Sequence, residues 1–303
     1  MNLHMLVFTR LETQSATTKV AHDLLTAAAV AEGHELTIIS DFDCQMHFGN
    51  ETSVFIRNTP AKDINVLFVR ANLSGAKLQF RRTLIKQFEL MGIPVVNREE
   101  AVMNAKNKLR NLQVLTEHNI PIPKTYVVSH AGYLDDALKD IGRFPIILKT
   151  PSGSQGKGVA IIESKRGLKS VIEMFDNGEP IVLQQYVKES SGKDIRVFVV
   201  GDRVIGAMKR ETTRRGEFRS NFHLGGKVSV ADLTKGPKGE KQLALNATRA
   251  CGLDIAGVDI LRTQDGPKVI EVNANPGLEG ITQATGKNIA GEIIRFMVSK
   301  VPA

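Results

Sequence analysis

The sequence has 303 residues, of which 42% are hydrophobic and 24% are charged, and both shares are ordinary for a globular protein. Its 40 Lys and Arg residues outnumber its 32 Asp and Glu residues, and the net charge of +8 indicates an anionic partner such as a nucleotide, an acidic peptide or a nucleic acid. Two cysteines exclude a disulfide framework and a cysteine-rich zinc site. The start of the chain has no signal-peptide pattern, and no apolar stretch is long enough to span a bilayer, so we expect a soluble cytoplasmic protein.

The first 97 residues alternate short apolar runs with helix-forming stretches. We predict strands at 3–8, 35–40, 66–70 and 93–96, and helices at about 17–32 and 76–91. Thr17 or Thr18 is expected to cap the first helix, and Gly33 is expected to end it. This order predicts a parallel sheet with flanking helices. No Gly-x-Gly-x-x-Gly follows the first strand, so a dinucleotide-binding fold is disfavoured.

Two further units follow a helix predicted at about 97–117 and a boundary marked by Pro121 and Pro123. For the second unit we predict strands at 125–128, 146–150, 159–163 and 181–186, and helices at 134–141 and 165–175. For the third unit we predict strands at 195–200 and 204–208, a polar loop at 209–226, a helix at 238–251, an acidic hairpin and a final helix at 288–301. We expect the three units to surround a single site.

The acidic hairpin carries the most informative polar residues. Two apolar runs, beginning at Gly257 and Val269, are predicted to be strands joined by a turn-rich linker. Because side chains alternate faces along a strand, Glu271 and Asn273 point the same way, and Asp259 can lie across from them. Two carboxylates and an amide on one face suit a hard cation such as Mg²⁺, which binds one or two carboxylates together with substrate phosphates. The hairpin therefore predicts phosphate chemistry.

A glycine-rich loop at 149–159, between two predicted strands, is the candidate phosphate site. Glycines let backbone N–H groups approach an anion closely, and Ser152 and Ser154 add donors. Lys149 ends a strand and can reach a phosphate oxygen. The loop is not a Walker A motif, because Gly158 stands where that motif needs Ser or Thr. An ordinary hairpin loop with a solvated lysine is the alternative interpretation.

A basic segment follows in the third unit. Its positive residues fall within eleven positions: Lys209, Arg210, Arg214, Arg215 and Arg219. A solvated loop, a nucleic-acid patch and a site for carboxylates or phosphates are all compatible with such a run, although aromatic residues for base stacking are scarce. Asp194 and Arg196, at the start of a predicted strand, add one acid and one guanidinium group. The histidines have no metal-ligand spacing, and no serine or cysteine lies in a nucleophile context.

Together these features resemble the ATP-grasp superfamily, and more narrowly the RimK group, whose namesake adds glutamate to the acidic C-terminal tail of small-subunit ribosomal protein six. The resemblance covers about 97–298. Its most specific stretches are FRSNFHLGG at 218–226, AGVDIL at 256–261 and EVNANPGLEG at 271–280. No single stretch carries the resemblance, but three such blocks in this order do.

The resemblance implies an α/β protein with an N-terminal parallel βαβ domain followed by an ATP-grasp fold of two subdomains, which is α+β in character. The implied divisions are an N-terminal domain at 1–97, a linker helix at 98–123, a central lid subdomain at 124–190 and a C-terminal subdomain with the metal site at 191–303. Two features depart from the family pattern. Gln185 stands where the family usually has Glu, and the third strand ends FVRANL at 68–73 instead of the expected Pro-Arg-Ile-Gly.

For the nucleotide, the resemblance implies a site on the central unit. Gln185 and Tyr186 would form the hinge beside adenine, largely through backbone groups, and Asp194 would bind the ribose hydroxyls. Lys108 and Lys149 would hold the phosphates of ATP. The loop that folds over the phosphates would contribute small and hydroxylated residues, namely Ser152, Gly153, Ser154, Gly156 and Gly158.

For metal and catalysis, the resemblance implies residues of the third unit. Asp259, Glu271 and Asn273 would hold one or two Mg²⁺ or Mn²⁺ ions. The residues implied in catalysis are Lys149, Arg196, Arg219 and Asn221, and Arg219, Ser220 and Asn221 would also contact the nucleotide. Asn275 and Gly277 would close the turn beside the substrate carboxylate.

The implied activity is ATP-dependent ligation of a carboxylate to an amine. The carboxylate would attack the γ-phosphoryl group of ATP to give an acylphosphate, and the amine of L-glutamate would displace phosphate to form an amide. The implied acceptor is an acidic protein tail, such as that of a ribosomal protein. We expect a homo-oligomer, a dimer or a tetramer, that needs neither nucleic acid nor membrane. Asp259→Asn is expected to abolish ligation and to leave the fold intact.

Three other functions are compatible with the residues. The same chemistry could serve a small-molecule, coenzyme or peptide acceptor. A non-catalytic ribosome-binding or RNA-binding protein would use the net charge of +8, but such a protein gains nothing from carboxylates clustered at Asp259 and Glu271. A kinase that stops at the acylphosphate, or that phosphorylates a hydroxyl, would differ in the mass of its product.

Overall fold

A computed structural model describes residues 1–302 except 51–52, 71–72, 74, 152–157, 175–179, 215–216, 218–225 and 237, and except the side chains at 131 and 174. The strands are β1 (Asn2–Val7), β2 (Glu35–Ser40), β3 (Cys44–His47), β4 (Ser53–Ile56), β5 (Thr59–Pro60), β6 (Val66–Val69), β7 (Val95–Val96), β8 (Thr125–Val128), β9 (Ile146–Lys149), β10 (Val159–Ile162), β11 (Ile181–Gln185), β12 (Lys193–Val200), β13 (Arg203–Glu211), β14 (Lys227–Val230), β15 (Ile255–Thr263) and β16 (Gly266–Asn273). The α-helices are α1 (Ala16–Ala31), α2 (Leu78–Leu90), α3 (Glu99–Lys106), α4 (Lys108–Glu117), α5 (Leu134–Ile141), α6 (Lys165–Met174), α7 (Glu240–Ala250), α8 (Glu279–Thr285) and α9 (Ile289–Ser299). Among these residues, no helix combines the length and the apolar character needed to cross a membrane.

The N-terminal sheet is parallel, with the strand order β2-β1-β6-β7, which confirms the predicted fold of this part. Helix α1 begins at Ala16, slightly earlier than expected. The reason is that Ser15, and not Thr17 or Thr18, is the N-cap: its hydroxyl accepts a hydrogen bond from the backbone N–H of Thr18 at 3.3 Å. Thr17 and Thr18 therefore lie in the first turn of the helix. Gly33 follows the helix end with a φ of 76°, as predicted.

A second, antiparallel sheet with the order β3-β4-β5 was not predicted. The turn between β4 and β5 contains Arg57 and Asn58, which both adopt left-handed backbone conformations, with φ of 48° and 66°. Two-residue hairpin turns usually carry Asn-Gly or Asp-Gly, so the pair Arg57-Asn58 does not indicate a turn in the sequence. The strands have four, four and two residues, too few for a clear alternation of polar and apolar positions.

The linker contains two helices, α3 and α4, where the sequence predicts one. Asn107 separates them because its Oδ1 accepts hydrogen bonds from the backbone N–H groups of Leu109 at 3.0 Å and Arg110 at 3.1 Å. This is an N-cap, and it starts α4 at the next residue. As a result Lys108 occupies the first position of α4, from which it reaches the candidate site.

The central sheet is antiparallel, with the order β10-β9-β11-β8, and the helix α5 has the bounds that the sequence predicts. One face of this sheet packs against α5 and α6 through residues such as Leu148 and Leu183. Alternate residues on the same two strands, including Lys149 and Gln184, line a cavity on the other face.

The C-terminal sheet is antiparallel, with the order β14-β13-β12-β15-β16. Ile195, Val197 and Val258 on one face form a core with α7. β13 continues to Glu211, so the prediction of a polar loop beginning at Lys209 is wrong: these residues pair with β14. Neither β14 nor α8 was predicted, because four and seven residues are too short for periodicity to identify them.

Asn97 connects the N-terminal sheet to the C-terminal sheet, and its side chain is fully buried, at 0% exposure. Its Nδ2 donates to the carbonyl oxygens of Ile255 at 2.9 Å and Ala274 at 3.1 Å. Its Oδ1 accepts from the backbone N–H groups of Asp254 at 2.8 Å and Ile255 at 2.9 Å. These four bonds hold the end of the N-terminal sheet beside the β15–β16 hairpin.

Candidate active site

A cavity of about 430 Å³ lies where the N-terminal, central and C-terminal sheets meet. The residues that line it include residues of the helices α1 and α4 and of the strands β9, β11, β12, β13, β15 and β16. The lining contains acids, lysines and arginines together, which is unusual for a buried surface and typical of a site for charged ligands.

The acidic hairpin forms as predicted. β15 and β16 pair so that Asp259 lies opposite Glu271 and Gly257 lies opposite Asn273. The alternate residues Val258 and Val272 pack into the core against α7. The two acids and the amide therefore share the face that lines the cavity.

Asp259 is held by two arginines from neighbouring strands. Arg196 lies opposite Asp259 in the β12–β15 pairing, and its Nε and Nη2 donate to the two carboxylate oxygens at 2.7 Å each. Nη2 of Arg210 donates to Oδ2 of Asp259 at 2.8 Å. Burial alone would raise the pKa of Asp259, but the charges of Arg196 and Arg210 hold it below its ordinary value. Asp259 is therefore ionised at neutral pH.

Arg210 also binds Asp194. Its Nε and Nη2 donate to the two oxygens of Asp194 at 2.6 Å each, and the two side chains are 4% and 5% exposed. Burial alone would lower the pKa of Arg210, but Asp259 and Asp194 raise it above its ordinary value. Asp194, Arg210, Asp259 and Arg196 thus form a continuous chain of ion pairs, two acids with two bases, which we call the buried ion network.

Glu271 has a different environment. Its carboxylate opens into the cavity, and among the described residues it forms no salt bridge. The side chain of Glu271 is exposed at the surface of the cavity. The protein around the cavity, and next the charge of Asp259, nevertheless raise the pKa of Glu271, although Arg196, Lys149 and Arg210 act in the opposite direction. The amide of Asn273 connects Glu271 to the network when its nitrogen faces Oε1 of Glu271 at 3.2 Å and its oxygen faces Nη2 of Arg196 at 3.2 Å.

This donor set fits a divalent cation that also binds phosphates. In the part of the chain that the structure describes, no three His, Cys, Asp or Glu side chains form a group that could hold a metal alone. Mg²⁺ does not need one, since it takes one or two carboxylates and completes its coordination with substrate phosphates and water. Glu271 offers such a carboxylate, and a cation between Glu271 and Asp259 would compete with Arg196 for the oxygens of Asp259.

Two lysines face the acids across the cavity. Nζ of Lys149 donates to Oε1 of Gln184 at 2.8 Å, and burial, partly offset by Glu271, lowers the pKa of Lys149 to about 8. Nζ of Lys108 donates to the carbonyl oxygen of Thr150 at 2.9 Å, and burial also lowers the pKa of Lys108. Both lysines are half-buried, and cations with lowered pKa values that line a cavity indicate a site that receives negative charge.

The predicted hinge lies at the end of β11. Gln185 and Tyr186 both line the cavity, and the backbone N–H of Gln185 donates to the carbonyl oxygen of Lys124 at 2.8 Å. Asp194 also lines the cavity, but both of its oxygens accept hydrogen bonds from Arg210. Ribose hydroxyls would have to share these oxygens with Arg210, so the ribose-binding role of Asp194 stays a prediction.

Part of the predicted site lies outside the described residues, namely Ser152, Gly153, Ser154, Gly156, Arg219, Ser220 and Asn221. Of the loop, Gly158 is described: it has a φ of 72°, and its carbonyl oxygen accepts from the backbone N–H of Thr150 at 2.8 Å. This bond extends the β9–β10 pairing to the base of the loop. The loop therefore leaves the central sheet directly beside Lys149.

The cavity also contains residues that were not among the predicted site residues, including Gln184, His22, Arg70 and Arg210, of which the sequence placed Arg210 only in the basic segment. Gln184 could have been found from strand alternation, since it lies two residues from the predicted site residue Tyr186, whereas Arg210 lies two residues from Met208, which the sequence does not place in a site. His22 and Arg70 come from the N-terminal part. Arg70 Nη1 donates to the carbonyl oxygen of a residue 206 positions away, Pro276, at 2.7 Å, and no sequence pattern indicates this contact.

Comparisons with known proteins agree with this geometry. Residues 105–297 match the RimK-like ATP-grasp domain, and residues 11–102 match the RimK PreATP-grasp domain. A probable alpha-L-glutamate ligase of Shewanella loihica is 42% identical over 91% of this chain and 90% of its own length, and a probable alpha-L-glutamate ligase 1 of Shewanella frigidimarina is 41% identical over 91% of each. The solved structure of the ATP-grasp ligase PsnB, complexed with a phosphomimetic variant of its minimal precursor, Mg and ADP, has the same fold, with a TM-score of 0.73 and 19% identity over 100% of this chain and 99% of that chain. The chain therefore belongs to the RimK-like ATP-grasp family and is an ATP-dependent ligase.

Proposed function

We propose that this ligase adds L-glutamate to the carboxyl terminus of an acidic protein or peptide tail through an acylphosphate. The observation that carries the proposal is that Lys108 and Lys149 line the same cavity as the acidic pair Asp259 and Glu271. Lysines for phosphates and acids for a cation are the two halves of a nucleotide-triphosphate site. The glutamate specificity is supported by the names of the relatives, which are probable alpha-L-glutamate ligases.

The first chemical step forms the acylphosphate. An oxygen of the acceptor carboxylate attacks the γ-phosphorus of ATP, and the bond from that phosphorus to the bridging oxygen breaks, releasing ADP. Lys149 and Lys108 neutralise the charge on the phosphate oxygens. In the absence of a ligand the pKa of Lys149 is about 8, and bound phosphates would raise it, so that the ammonium group is fully charged during the reaction.

The second step forms the amide. The uncharged amine of glutamate attacks the acyl carbon, loses a proton, and displaces phosphate. An acylphosphate is hydrolysed by water, so the cavity must be closed while it exists. We propose that the loop at 152–157 closes over the phosphates, and that Arg219, Ser220 and Asn221 contact the phosphate and substrate end, as the family resemblance implies.

The buried ion network positions the metal ligands. Arg196 holds both oxygens of Asp259, and through Asn273 it also orients Glu271. A bound Mg²⁺ would neutralise charge on the phosphate oxygens. We propose that Glu271, Asn273 and Asp259 hold one or two such ions, with Mn²⁺ as a substitute, and that Gln185, Tyr186 and Asp194 hold the adenosine.

The net charge of +8 supports an acidic acceptor. We propose that the chain divides into units at 1–97, 98–123, 124–190 and 191–303. We also propose that it assembles as a dimer or tetramer. We propose a cytoplasmic location, in which the two buried free cysteines, Cys44 and Cys251, stay reduced. A small-molecule, coenzyme or peptide acceptor is the alternative that uses the same site.

The test is mass spectrometry of a synthetic peptide ending in several glutamates, incubated with the protein, ATP, Mg²⁺ and labelled L-glutamate. We expect peptide masses increased by whole glutamyl residues, together with ADP. Glu271→Gln should remove this product. Asp265→Asn is the matched control, because Asp265 lies in the exposed turn of the same hairpin. Release of ADP with other amine or carboxylate substrates, and none with glutamate and the peptide, would contradict the proposal.

A further inference from the structure

The N-terminal domain contributes a positive charge to the cavity, in addition to the lysines assigned to the phosphates of the nucleotide. Arg70 follows β6, and its guanidinium group lines the cavity. Its Nη1 donates to the carbonyl oxygen of Pro276, and none of the carboxylates that the structure describes forms a salt bridge with it. Burial lowers the pKa of Arg70 to about 10, so it is still charged at neutral pH. Arg70 is half-buried, and a guanidinium group that is partly removed from water without a counter-ion is costly unless a ligand supplies the anion.

His22 lines the same cavity from α1. Its side chain is 2% exposed, and neither ring nitrogen has a hydrogen-bond partner among the described residues. Burial, and next the charge of Arg70, lower the pKa of His22, so the ring is neutral at neutral pH and has one N–H to donate. Buried polar groups are nearly always satisfied in folded proteins, and an exception in a cavity points to a ligand.

The N-terminus of α1 supplies the third feature. The helix has 16 residues, and Thr17 and Thr18 of its first turn line the cavity together with His22. The first backbone N–H groups of a helix carry a partial positive charge that favours anions. A guanidinium group, an imidazole N–H and a helix N-terminus, each from the N-terminal domain, therefore border the same space.

We propose that Arg70, His22 and the first turn of α1 form a subsite for a carboxylate of the amine-bearing substrate. The inference rests on the proposed function and deepens it, since that substrate is then glutamate. The planar guanidinium group matches a carboxylate through two parallel hydrogen bonds, and while Nη1 donates to Pro276 the Nε–Nη2 edge is available to make them.

The subsite suits a carboxylate that is not itself phosphorylated. The phosphates of ATP are assigned to Lys108 and Lys149 on the central side of the cavity, whereas Arg70 and His22 belong to the N-terminal domain. A carboxylate held on both oxygens by a guanidinium group is also a weaker nucleophile, because the two hydrogen bonds and the positive charge withdraw electron density from its oxygens. The acceptor carboxylate must keep an oxygen free for attack, but the carboxylate of glutamate only has to be held.

The test is calorimetric titration of L-glutamate into the full-length protein with Mg²⁺ and a non-hydrolysable ATP analogue. We expect Arg70→Gln to weaken glutamate binding roughly 10- to 100-fold, the loss typical of a charged hydrogen-bonding partner. Arg70→Lys should bind with intermediate affinity, because it keeps the charge and loses the fork. His22→Gln should weaken binding by less than Arg70→Gln. Arg57→Gln, which removes an exposed arginine of the same domain that pairs with Asp43, should bind glutamate like the wild type.

The affinity for the ATP analogue, measured in a separate titration of the analogue into each variant, shows whether that variant is folded. Glutamate bound equally well by the wild type and Arg70→Gln would overturn the subsite, and so would a wild-type protein that binds none of the proteinogenic amino acids. If the wild type binds and ligates a different amino acid, the proposed glutamate specificity is wrong, but the subsite is still testable. The comparison of wild type and Arg70→Gln is then made with that amino acid, and equal affinity again overturns the subsite.

Discussion

The two acids of the β15–β16 hairpin should respond differently when their charge is removed. In Asp259→Asn, the carboxylate that accepts three hydrogen bonds from Arg196 and Arg210 becomes an amide whose NH₂ group faces donors. The side chains of Asp259, Arg196 and Arg210 are 3%, 15% and 4% exposed, so water cannot replace the lost charge fully. Breaking a buried ion pair costs roughly 3–5 kcal/mol. Because Arg210 keeps Asp194 as a partner and Arg196 borders the cavity, we expect a loss of about 3 kcal/mol, the lower end of that range.

Glu271→Gln should not lose stability. The folded protein raises the pKa of Glu271, so its carboxylate destabilises the fold increasingly as the pH rises from the unfolded pKa through the folded pKa. At neutral pH the neutral glutamine removes this penalty, and the variant should be as stable as the wild type or more stable. The pKa of Asp259 is lowered instead, so its contribution to stability is present above the unfolded pKa and is lost as the pH falls through the folded pKa.

Urea unfolding at neutral pH, followed by circular dichroism, measures both effects as shifts of the transition midpoint. Asp265→Asn, in the exposed turn of the hairpin, should keep the wild-type midpoint. Asp259→Asn and Glu271→Gln should both lose ligation, so activity alone does not separate them. The sequence alone predicts that Asp259→Asn leaves the fold intact. Because Asp259 belongs to the buried ion network, we expect instead that the fold persists with lower stability. A wild-type midpoint for Asp259→Asn, or a lowered midpoint for Glu271→Gln, would refute this reasoning.

Three further predictions follow from the same contacts. Phosphates bind protonated Lys149, whose pKa burial lowers to about 8, so the Kd for ADP should rise with increasing pH between about pH 7 and pH 9. Lys149→Arg should show a smaller rise over the same range, because arginine stays charged. Gln184→Leu removes the 2.8 Å partner of Lys149 and should raise the Kd for ADP by roughly 2- to 10-fold, measured by calorimetry; an unchanged Kd would show that Gln184 does not position the lysine. Asn97→Ala removes four hydrogen bonds to backbone groups, two of them buried, and should cost roughly 3 kcal/mol in urea unfolding, while Asn246→Ala, on the exposed face of α7, should cost little.

The sequence was sufficient to predict the features that depend on local periodicity. The alternation at Glu271 and Asn273 determined which residues share a face, and the β15–β16 register puts Asp259 opposite Glu271 as expected. The parallel N-terminal sheet followed from the order of strands and helices. The helix boundary at Asn107 was accessible in principle, because asparagine is a good N-cap, but the continuous apolar pattern on both sides concealed it.

Features that depend on partners far away in the chain could not be predicted. The basic segment offered three interpretations for Arg210, and none of them was a buried strand residue paired with Asp194 and Asp259. An arginine in a charged run has the same local pattern whether it is solvated or buried, because its acids lie on β12 and β15. The same holds for His22 and Arg70, whose cavity position depends on how α1 and β6 pack beside the hairpin.

The charged residues that line the cavity differ in how they affect the stability of the protein without a ligand. The buried ion network has two acids and two bases, so it is neutral without a ligand. Other charged groups that line the cavity have shifted pKa values: burial lowers the pKa values of Lys108 and Lys149, and the surrounding protein raises that of Glu271. Each of these shifts is a free-energy penalty on the charged form in the absence of a ligand. A bound nucleotide and cation would supply the opposite charges and remove those penalties, so the groups that destabilise the empty fold are the ones that select the ligand.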